Sequence, residues 1–276
     1  MYNHVSKSKK EIRDSALPMG LGEMSAAALG RCEANSVFRA FKEKVKRRIR
    51  YHLNRQLSEA TKDIEFARQF RAAQESAEFA DQHMRMAKSY PDKFGLLKAA
   101  IAQMEIQGLY CEFGVYRGET LNFIASLVPV EVHGFDSFEG LPEDWKQGHE
   151  KGTFALQALP QVRPNVRLHK GWFEDTIPAF REQHPEQVGF LHLDADLYSS
   201  TRTVFELLGD AIVAGTLIAF DEFFNYPGWC EGEYKAFMEF CRERRVEVRY
   251  LGFARQGEQV VAKIVRIAPV SKKAVA

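Results

Sequence analysis

The sequence predicts a doubly wound α/β fold, with a seven-stranded, mostly parallel sheet, an antiparallel last strand and an N-terminal helical extension. From Leu109 onward, short apolar runs alternate with stretches of helical periodicity, which is typical of a parallel sheet covered by helices on both faces. The last two apolar runs are close together, with Gly252 and Gly257 between them, which predicts a closing hairpin. The chain has 276 residues, 45 % hydrophobic and 27 % charged, which suits one such domain plus an extension.

Residues 1–56 are predicted to form a basic arm, because they carry 13 Lys+Arg and 5 Asp+Glu, a net charge of +8. Residues 1–30 are expected to be loosely ordered. Residues 36–56 are predicted to form a basic helix with a narrow apolar stripe. The stripe consists of Val37, Phe41, Val45, Ile49 and Leu53. Such a helix can pack on the body of the protein or make peripheral contact with a membrane surface or a polyanion.

Residues 57–108 are predicted to form a helical lid or oligomerisation segment. Apolar residues recur in steps of three and four over residues 57–90, which predicts one long helix with an apolar face, ended by Pro91. A short helix over residues 93–104 is expected to follow. We therefore expect a homo-oligomer formed through the N-terminal helices.

Residues 109–276 are predicted to form the ligand-binding domain, built from five βα units and the hairpin. Ligands of doubly wound folds lie at the carboxyl ends of the strands, so functional residues are expected directly after each strand. The predicted strands are Leu109–Phe113, Val132–Phe135, Val166–His169, Val188–Leu193, Thr216–Phe220, Glu247–Leu251 and Gln259–Val265.

Several features argue against other classes of protein. The four cysteines show no C-x-x-C spacing, the N-terminus lacks the apolar region of a signal peptide, and no apolar run is long enough to span a bilayer. A cytoplasmic protein is therefore expected. Residues 57–276 carry 25 Lys+Arg and 32 Asp+Glu, a net charge of −7, which argues against nucleic-acid binding.

The first two strand ends together suggest a site for a nucleoside-type ligand. Glu112, Gly114 and Gly118 follow the first strand in an E-x-G-x-x-x-G pattern, in which the glycines allow a tight turn close to a ligand. The leading carboxylate would repel a diphosphate but could pair with a cationic ligand. Asp136 follows the second strand, where an acid can accept both ribose hydroxyls, although a helix N-cap is the alternative.

Four carboxylates follow the fourth and fifth strands, which should be neighbours in the sheet. They are Asp194, Asp196, Asp221 and Glu222. Gathering them costs electrostatic repulsion unless a cation neutralises them, and oxygen ligands favour Mg²⁺, whereas separate helix caps are the alternative. His192 is expected within the strand. The aromatic loop after the fifth strand, residues 223–229, can bind an acceptor or cap the sheet.

The strand-end segments resemble class I S-adenosylmethionine-dependent methyltransferases, and within them the macrocin O-methyltransferase (TylF-like) group. The matching segments are CEFGVYRGET, GFDSFEGLPE, LHKGWFEDTIP, LHLDADLYSST and FDEFFNYPGW, in the expected order within residues 95–265. The resemblance implies a Rossmann-like seven-stranded fold with a reversed last strand. It also implies S-adenosylmethionine as cofactor and a small-molecule hydroxyl, such as that of a sugar or glycosylated natural product, as acceptor.

The resemblance further implies roles for individual residues. Glu112, Gly114 and Gly118 would surround the methionine part of the cofactor, with Tyr116 and Thr120 of the same segment as further cofactor contacts. Asp136 would hold the ribose, Ser137 and Trp172 would lie on the adenine side, and Asp194 would also contact the cofactor.

The resemblance implies that Asp194, Asp221 and Glu222 hold Mg²⁺, with Asp196 as the alternative third ligand. Glu222 stands where relatives often carry Asp or Asn. The methyl group would be transferred in line to a hydroxyl oxygen, with the metal orienting the acceptor and Asp194 or His192 taking the proton.

Two other functions are open on the sequence. One is a nicotinamide-dependent oxidoreductase, against which the missing G-x-G-x-x-G pattern and the presence of Glu112 argue. The other is a non-catalytic nucleoside-binding module that is tethered by its basic arm.

Overall fold

The structure is a computed structural model that describes residues 26–60, 62–146 and 148–268. The chain divides into two compact units, Met1–Lys62 and Asp63–Ala276. In the first unit, α1 spans Ala26–Ala60 and includes the predicted basic helix. Val45, Ile49 and Leu53 of the predicted stripe are exposed. The side chains of Val37 and Phe41, and residues 1–25, lie outside what the structure describes.

The second unit contains an eight-stranded sheet in the order β1-β7-β8-β6-β5-β2-β3-β4. The strands are β1 Lys88–Tyr90, β2 Leu109–Phe113, β3 Val132–Asp136, β4 Val166–Lys170, β5 Val188–Leu193, β6 Ile212–Phe220, β7 Glu247–Ala254 and β8 Val260–Arg266. Strand β8 runs antiparallel to β6 and β7, while all other pairs are parallel. The predicted fold class is confirmed, with β1 as an eighth strand that was not predicted.

Helices and two apolar clusters cover the sheet. The helices are α2 Ile64–His83, α3 Lys93–Ile101, α4 Glu119–Leu127, α5 Phe173–Gln183, α6 Tyr198–Leu208 and α7 Glu233–Glu243. Every residue of β5 is buried, as expected of a central parallel strand covered on both faces. Leu191 and Leu193 belong to one cluster and Phe190 to the other, because alternate side chains of a strand point to opposite faces.

The prediction of one long helix over residues 57–90 is wrong. The Asp63 side chain accepts hydrogen bonds from the backbone N–H groups of Glu65 and Phe66 and thereby starts a new helix. Helix α2 ends at His83, and residues 88–90 pair with β7 as strand β1. The apolar face predicted for this segment includes Ile64 and Phe70, which are exposed, whereas the buried residues of α2 are Ala72, Ser76 and Phe79.

The prediction of five βα units is also wrong at one place, because the described residues between β3 and β4 form no helix. The connecting segment, residues 137–165, is here called the β3–β4 loop, and its described part is irregular apart from an isolated bridge between Lys146 and His149. Backbone hydrogen bonds from Leu141 to Thr153 and from Gly152 to Leu141 fold it back on itself. Prolines and glycines at residues 140, 142, 148, 152, 160 and 164 disfavour a helix there.

No helix in the described ranges combines the length and the apolar character that crossing a bilayer requires. The cysteines that the structure describes as free thiols are Cys111, Cys230 and Cys241.

Candidate functional site

A cavity of about 930 Å³ opens at the carboxyl ends of the parallel strands. Most of the predicted site residues line it together, namely Glu112, Gly114, Tyr116, Thr120, Asp136, Ser137, Trp172, Asp194, Asp221 and Glu222. Gly118 and His192 do not line the cavity. The topology explains the grouping, because β3, β2, β5 and β6 are consecutive neighbours in the sheet.

The glycine loop between β2 and α4 requires glycine at Gly114 and favours it at Gly118. Gly114 has a φ of 90°, and a Cβ placed on it would collide with the carbonyl oxygen of Asp194. Gly118 has a φ of 76° and caps the N-terminus of α4 in the left-handed region. The loop therefore passes in close contact with the β5 strand end, and the N-terminus of α4 faces the same region.

Asp136 organises this loop through its own carboxylate. Its Oδ2 accepts hydrogen bonds from the backbone N–H groups of Val115 at 2.8 Å and Tyr116 at 2.7 Å. Its Oδ1 accepts one from Phe138 N at 2.6 Å. A carboxylate oxygen has two lone pairs, so Oδ1 retains acceptor capacity for a ligand hydroxyl. The residues described directly after Asp136 start no helix, so the alternative interpretation as a helix N-cap is wrong.

Two further cavity residues lie at the ends of β3 and β4. Ser137 is buried, and its Oγ accepts a hydrogen bond from Glu139 N at 3.0 Å. Trp172 precedes α5, whose first residue, Phe173, packs edge-on against Phe113 with 5.2 Å between ring centroids. The aromatic packing fixes the start of α5 and with it the position of Trp172 at the cavity.

The carboxylates of Asp194, Asp221 and Glu222 offer oxygens that all lie within 4.8 Å of one another. A second set with the same property consists of Glu112, His192 and Asp194. Glu222 Oε2 is buried and finds no hydrogen-bond partner among the described residues. A buried carboxylate oxygen without a donor is costly, and a cation bound between these groups would satisfy it. Asp196 belongs to neither set.

Two cationic side chains accompany these carboxylates. His192 Nδ1 lies 2.8 Å from Glu112 Oε1, and its Nε2 lies 3.7 Å from Asp221 Oδ1. Burial disfavours the charged imidazole of His192, but its contacts with Asp221 and Glu112 outweigh this and raise its pKa to about 10. Lys93 Nζ, from the first turn of α3, lies 3.3 Å from Asp221 Oδ1.

With all of its carboxyl groups ionised, this cluster carries more negative than positive charge. It contains four carboxylates and two cations, a formal charge of −2, from Glu112, Asp194, Asp221, Glu222, Lys93 and His192. Burial, followed by repulsion from neighbouring carboxylates, raises the pKa of both Asp194 and Glu222. One divalent cation would bring the formal charge to zero, so the residues present fit such an ion.

The structure favours one of the two interpretations of the aromatic loop after β6, that it caps the sheet. Phe223, Phe224, Tyr226 and Trp229 are all buried and belong to the larger apolar cluster. The loop therefore caps the sheet. Aromatic residues of the cavity wall come instead from Tyr116, from Trp172 and Phe173 at the start of α5, and from the β3–β4 loop, which contributes Trp145 and Phe154.

Sequence reasoning missed two charged residues of the site, Lys93 and Glu233. Lys93 follows Asp92, which caps α3, and its helical position gave no sign of its contact with Asp221. Glu233 lies at the start of α7, where an acid is common because of the helix dipole. Only the folded chain brings either residue to the carboxylates.

The strand order, the reversed β8 and the cavity at the carboxyl edge define a Rossmann-like protein of the methyltransferase type. The model of the macrocin-O-methyltransferase (TylF) family matches residues 29–248, and the chain belongs to this family.

Two curated relatives are similar over part of the chain. One, 30 % identical over 146 residues, is the 8-demethyl-8-(2,3-dimethoxy-alpha-L-rhamnosyl)-tetracenomycin-C 4'-O-methyltransferase of Streptomyces olivaceus. The other, 24 % identical over 165 residues, is the demethyldecarbamoylnovobiocin O-methyltransferase of Streptomyces niveus. The matches cover 43 % and 50 % of this chain, and 54 % and 62 % of the respective relatives.

Among solved structures, that of the O-methyltransferase NovP is similar with a TM-score of 0.51 and 19 % identity. The match covers 63 % of this chain and 79 % of that one, and it supports the fold assignment.

Proposed function

We propose that this protein is an S-adenosylmethionine-dependent O-methyltransferase that acts on a hydroxyl of a sugar or glycosylated small molecule. The main support is a single arrangement, in which the glycine loop at Gly114 and the carboxylates at Asp194, Asp221 and Glu222 meet in one cavity. Such an arrangement would place a cofactor beside a cation site. The names of the two curated relatives, both O-methyltransferases and one of a rhamnosyl compound, support the acceptor class.

The cofactor would lie along the glycine loop. Glu112, buried at the end of β2 with Oε2 unpaired, would face the cationic methionine part. Asp136 would accept a ribose hydroxyl, and Ser137 and Trp172 would lie beside the adenine. Gly118 would shape the loop from behind, while Tyr116, Thr120 and Asp194 would complete the contacts from the cavity wall.

Asp194, Asp221 and Glu222 would hold Mg²⁺, which when bound would orient the acceptor hydroxyl and lower its pKa. Asp194 lines the cavity, whereas His192 is 1 % exposed and both of its ring nitrogens face carboxylates. We therefore assign the role of proton acceptor to Asp194, and His192 would hold Glu112 and Asp221 in place. Contact between the acceptor oxygen and the methyl donor would supply much of the rate through proximity.

The test is incubation with labelled S-adenosylmethionine and a panel of glycosides and phenols, with and without EDTA. We expect methyl transfer to glycoside hydroxyls that EDTA abolishes and added Mg²⁺ restores. Transfer that is indifferent to EDTA would contradict the metal site. NADH oxidation with carbonyl substrates, without any methyl transfer, would favour an oxidoreductase instead.

The partners and the location are also proposals. We propose a homo-oligomer formed through the N-terminal helices and peripheral contact of the basic segment 36–56 with an anionic membrane surface, in the cytoplasm. The support is that α1 between residues 42 and 60 carries seven Lys or Arg and two Glu, while its apolar residues are exposed.

A further inference from the structure

Glu233 is a fully buried carboxylate that lies between the two loops bearing the proposed metal ligands. It is 0 % exposed and is the first residue of α7. Its Oε1 accepts a hydrogen bond from Ala195 N at 3.2 Å, and its Oε2 accepts one from Glu222 N at 3.3 Å. Ala195 directly follows Asp194. One side chain thus holds the backbone of both strand ends, after β5 and after β6.

Burying this carboxylate is costly, because no Lys, Arg or His in the described part of the chain forms an ion pair with it. The compensation comes from the two backbone N–H groups and from the N-terminus of α7, which favours negative charge. Burial raises the pKa of Glu233, while the backbone hydrogen bonds from Ala195 and Glu222 act in the opposite direction and favour the ionised carboxylate.

We infer that Glu233 is a positioning residue that sets the separation between Asp194 and Glu222 and so shapes the cation site. This inference rests on the proposed Mg²⁺-dependent function. Glu233 does not line the cavity, so it acts through the two loops and touches neither cofactor nor acceptor.

The test compares Glu233→Gln with Glu231→Gln in the full-length protein. Glu233→Gln keeps the shape but turns an N–H donor toward one backbone N–H group, so one of the two loops loses its anchor. Glu231, in the adjacent 3-10 turn, has a 72 % exposed side chain and pairs with Lys235, so its variant is the matched control. Separate calorimetric titrations measure the affinity of each protein for Mg²⁺ and for S-adenosylhomocysteine.

We expect Glu233→Gln to weaken Mg²⁺ binding on the order of tenfold or more, as loss of an outer-shell partner does, with the affinity for S-adenosylhomocysteine unchanged. The control should bind both ligands like the wild type. Should Glu233→Gln fail to fold, Glu233→Asp retains the charge but withdraws the oxygens from the amides, and it should show the same selective loss.

The inference is overturned if the wild type binds Mg²⁺ and Glu233→Gln has a lower melting temperature but the same Mg²⁺ affinity. The proposed function would still stand after that result. A wild type that binds S-adenosylhomocysteine but no Mg²⁺ would contradict the metal part of the proposed function, and the role of Glu233 with it.

Discussion

At the residue scale, the approach of Gly114 to the carbonyl of Asp194 joins the cofactor loop to the carboxylate cluster. Gly114→Ala would add a Cβ where the Asp194 backbone already lies and would impose a positive φ on alanine, which alone costs about 1–2 kcal/mol. We expect this variant to unfold at a lower temperature and to lose S-adenosylhomocysteine binding in a calorimetric titration.

Gly95→Ala is the matched control for this prediction. Gly95 lies in α3, where an added Cβ would meet only Asp92 Oδ1 at an ordinary 3.5 Å. Since alanine is the better helix former, this variant should be at least as stable as the wild type and should bind the ligand normally. Normal binding of S-adenosylhomocysteine by Gly114→Ala would contradict the proposal that the cofactor lies along this loop.

The surroundings of His133, which lies away from the cavity, predict that the folded state loses stability in acid. Its ring packs 4.8 Å from those of Phe180 and His184, its Nδ1 lies 3.2 Å from His169 Nε2, and Glu131 lies 3.9 Å away. Burial, reinforced by His169 and His184, lowers the pKa of His133 to about 4. The unfolded chain binds this proton near pH 6.5, so the folded state loses stability as the pH falls from 6.5 to 4, by up to about 3 kcal/mol.

The measurement is the free energy of unfolding in urea between pH 7 and pH 4 for the wild type and for His133→Gln. The variant should show a smaller loss over this range. Equal losses in both proteins would show that His133 does not contribute to the acid sensitivity.

At the element scale, α2 attaches to the sheet through Phe79. Its ring lies 5.5–5.9 Å from those of Tyr234, Tyr250, Phe223 and Trp229. Phe79→Ala should lower the free energy of unfolding by about 3–5 kcal/mol, because it leaves a cavity in this cluster.

Phe70→Ala on the same helix is the control, since Phe70 is 55 % exposed and should change the stability by no more than about 0.5 kcal/mol. Urea unfolding measures both variants. Similar effects of the two substitutions would contradict the assigned buried face of α2.

Elements with a strong local pattern were predictable, and those that depend on a distant partner were not. The bounds of β2 and β5 agree with the prediction, because apolar runs covered on both faces are visible in the sequence. Strand β1 reads Lys-Ser-Tyr and becomes a strand only by pairing with β7. The end of one helix and the start of the next at Asp63 could not be predicted, because the periodicity of apolar residues continues across this position.

The residues of the candidate site divide in the same way into predictable and unpredictable ones. The rule that ligands bind at strand ends predicted a meeting of Asp194, Asp221 and Glu222, and the structure places them together. Glu233, on α7, accepts hydrogen bonds from the backbone of Ala195 and Glu222, and Lys93, on α3, pairs with Asp221. No local sequence pattern indicates either contact.

At the scale of the whole molecule, the net charge of +1 is the sum of a basic arm and an acidic remainder. Helix α1 exposes Val45, Ile49 and Leu53 among its cations. The full-length protein should therefore co-sediment with vesicles that contain anionic lipid, and the double substitution Ile49→Asp, Leu53→Asp should reduce this binding severalfold.

Analytical ultracentrifugation of the same proteins tests the proposed homo-oligomer. If the wild type binds no vesicles and the double variant loses the oligomer, the exposed residues form a contact between copies of the chain. That result would contradict the membrane proposal.

The central claim is that the cavity holds S-adenosylmethionine beside a divalent cation. Calorimetric titration of the protein with S-adenosylhomocysteine, with and without Mg²⁺, tests it most directly. We predict binding of one ligand per chain, together with a separate Mg²⁺ isotherm that Asp194→Asn and Asp221→Asn abolish. A folded protein that shows no heat of binding at millimolar S-adenosylhomocysteine would contradict the account.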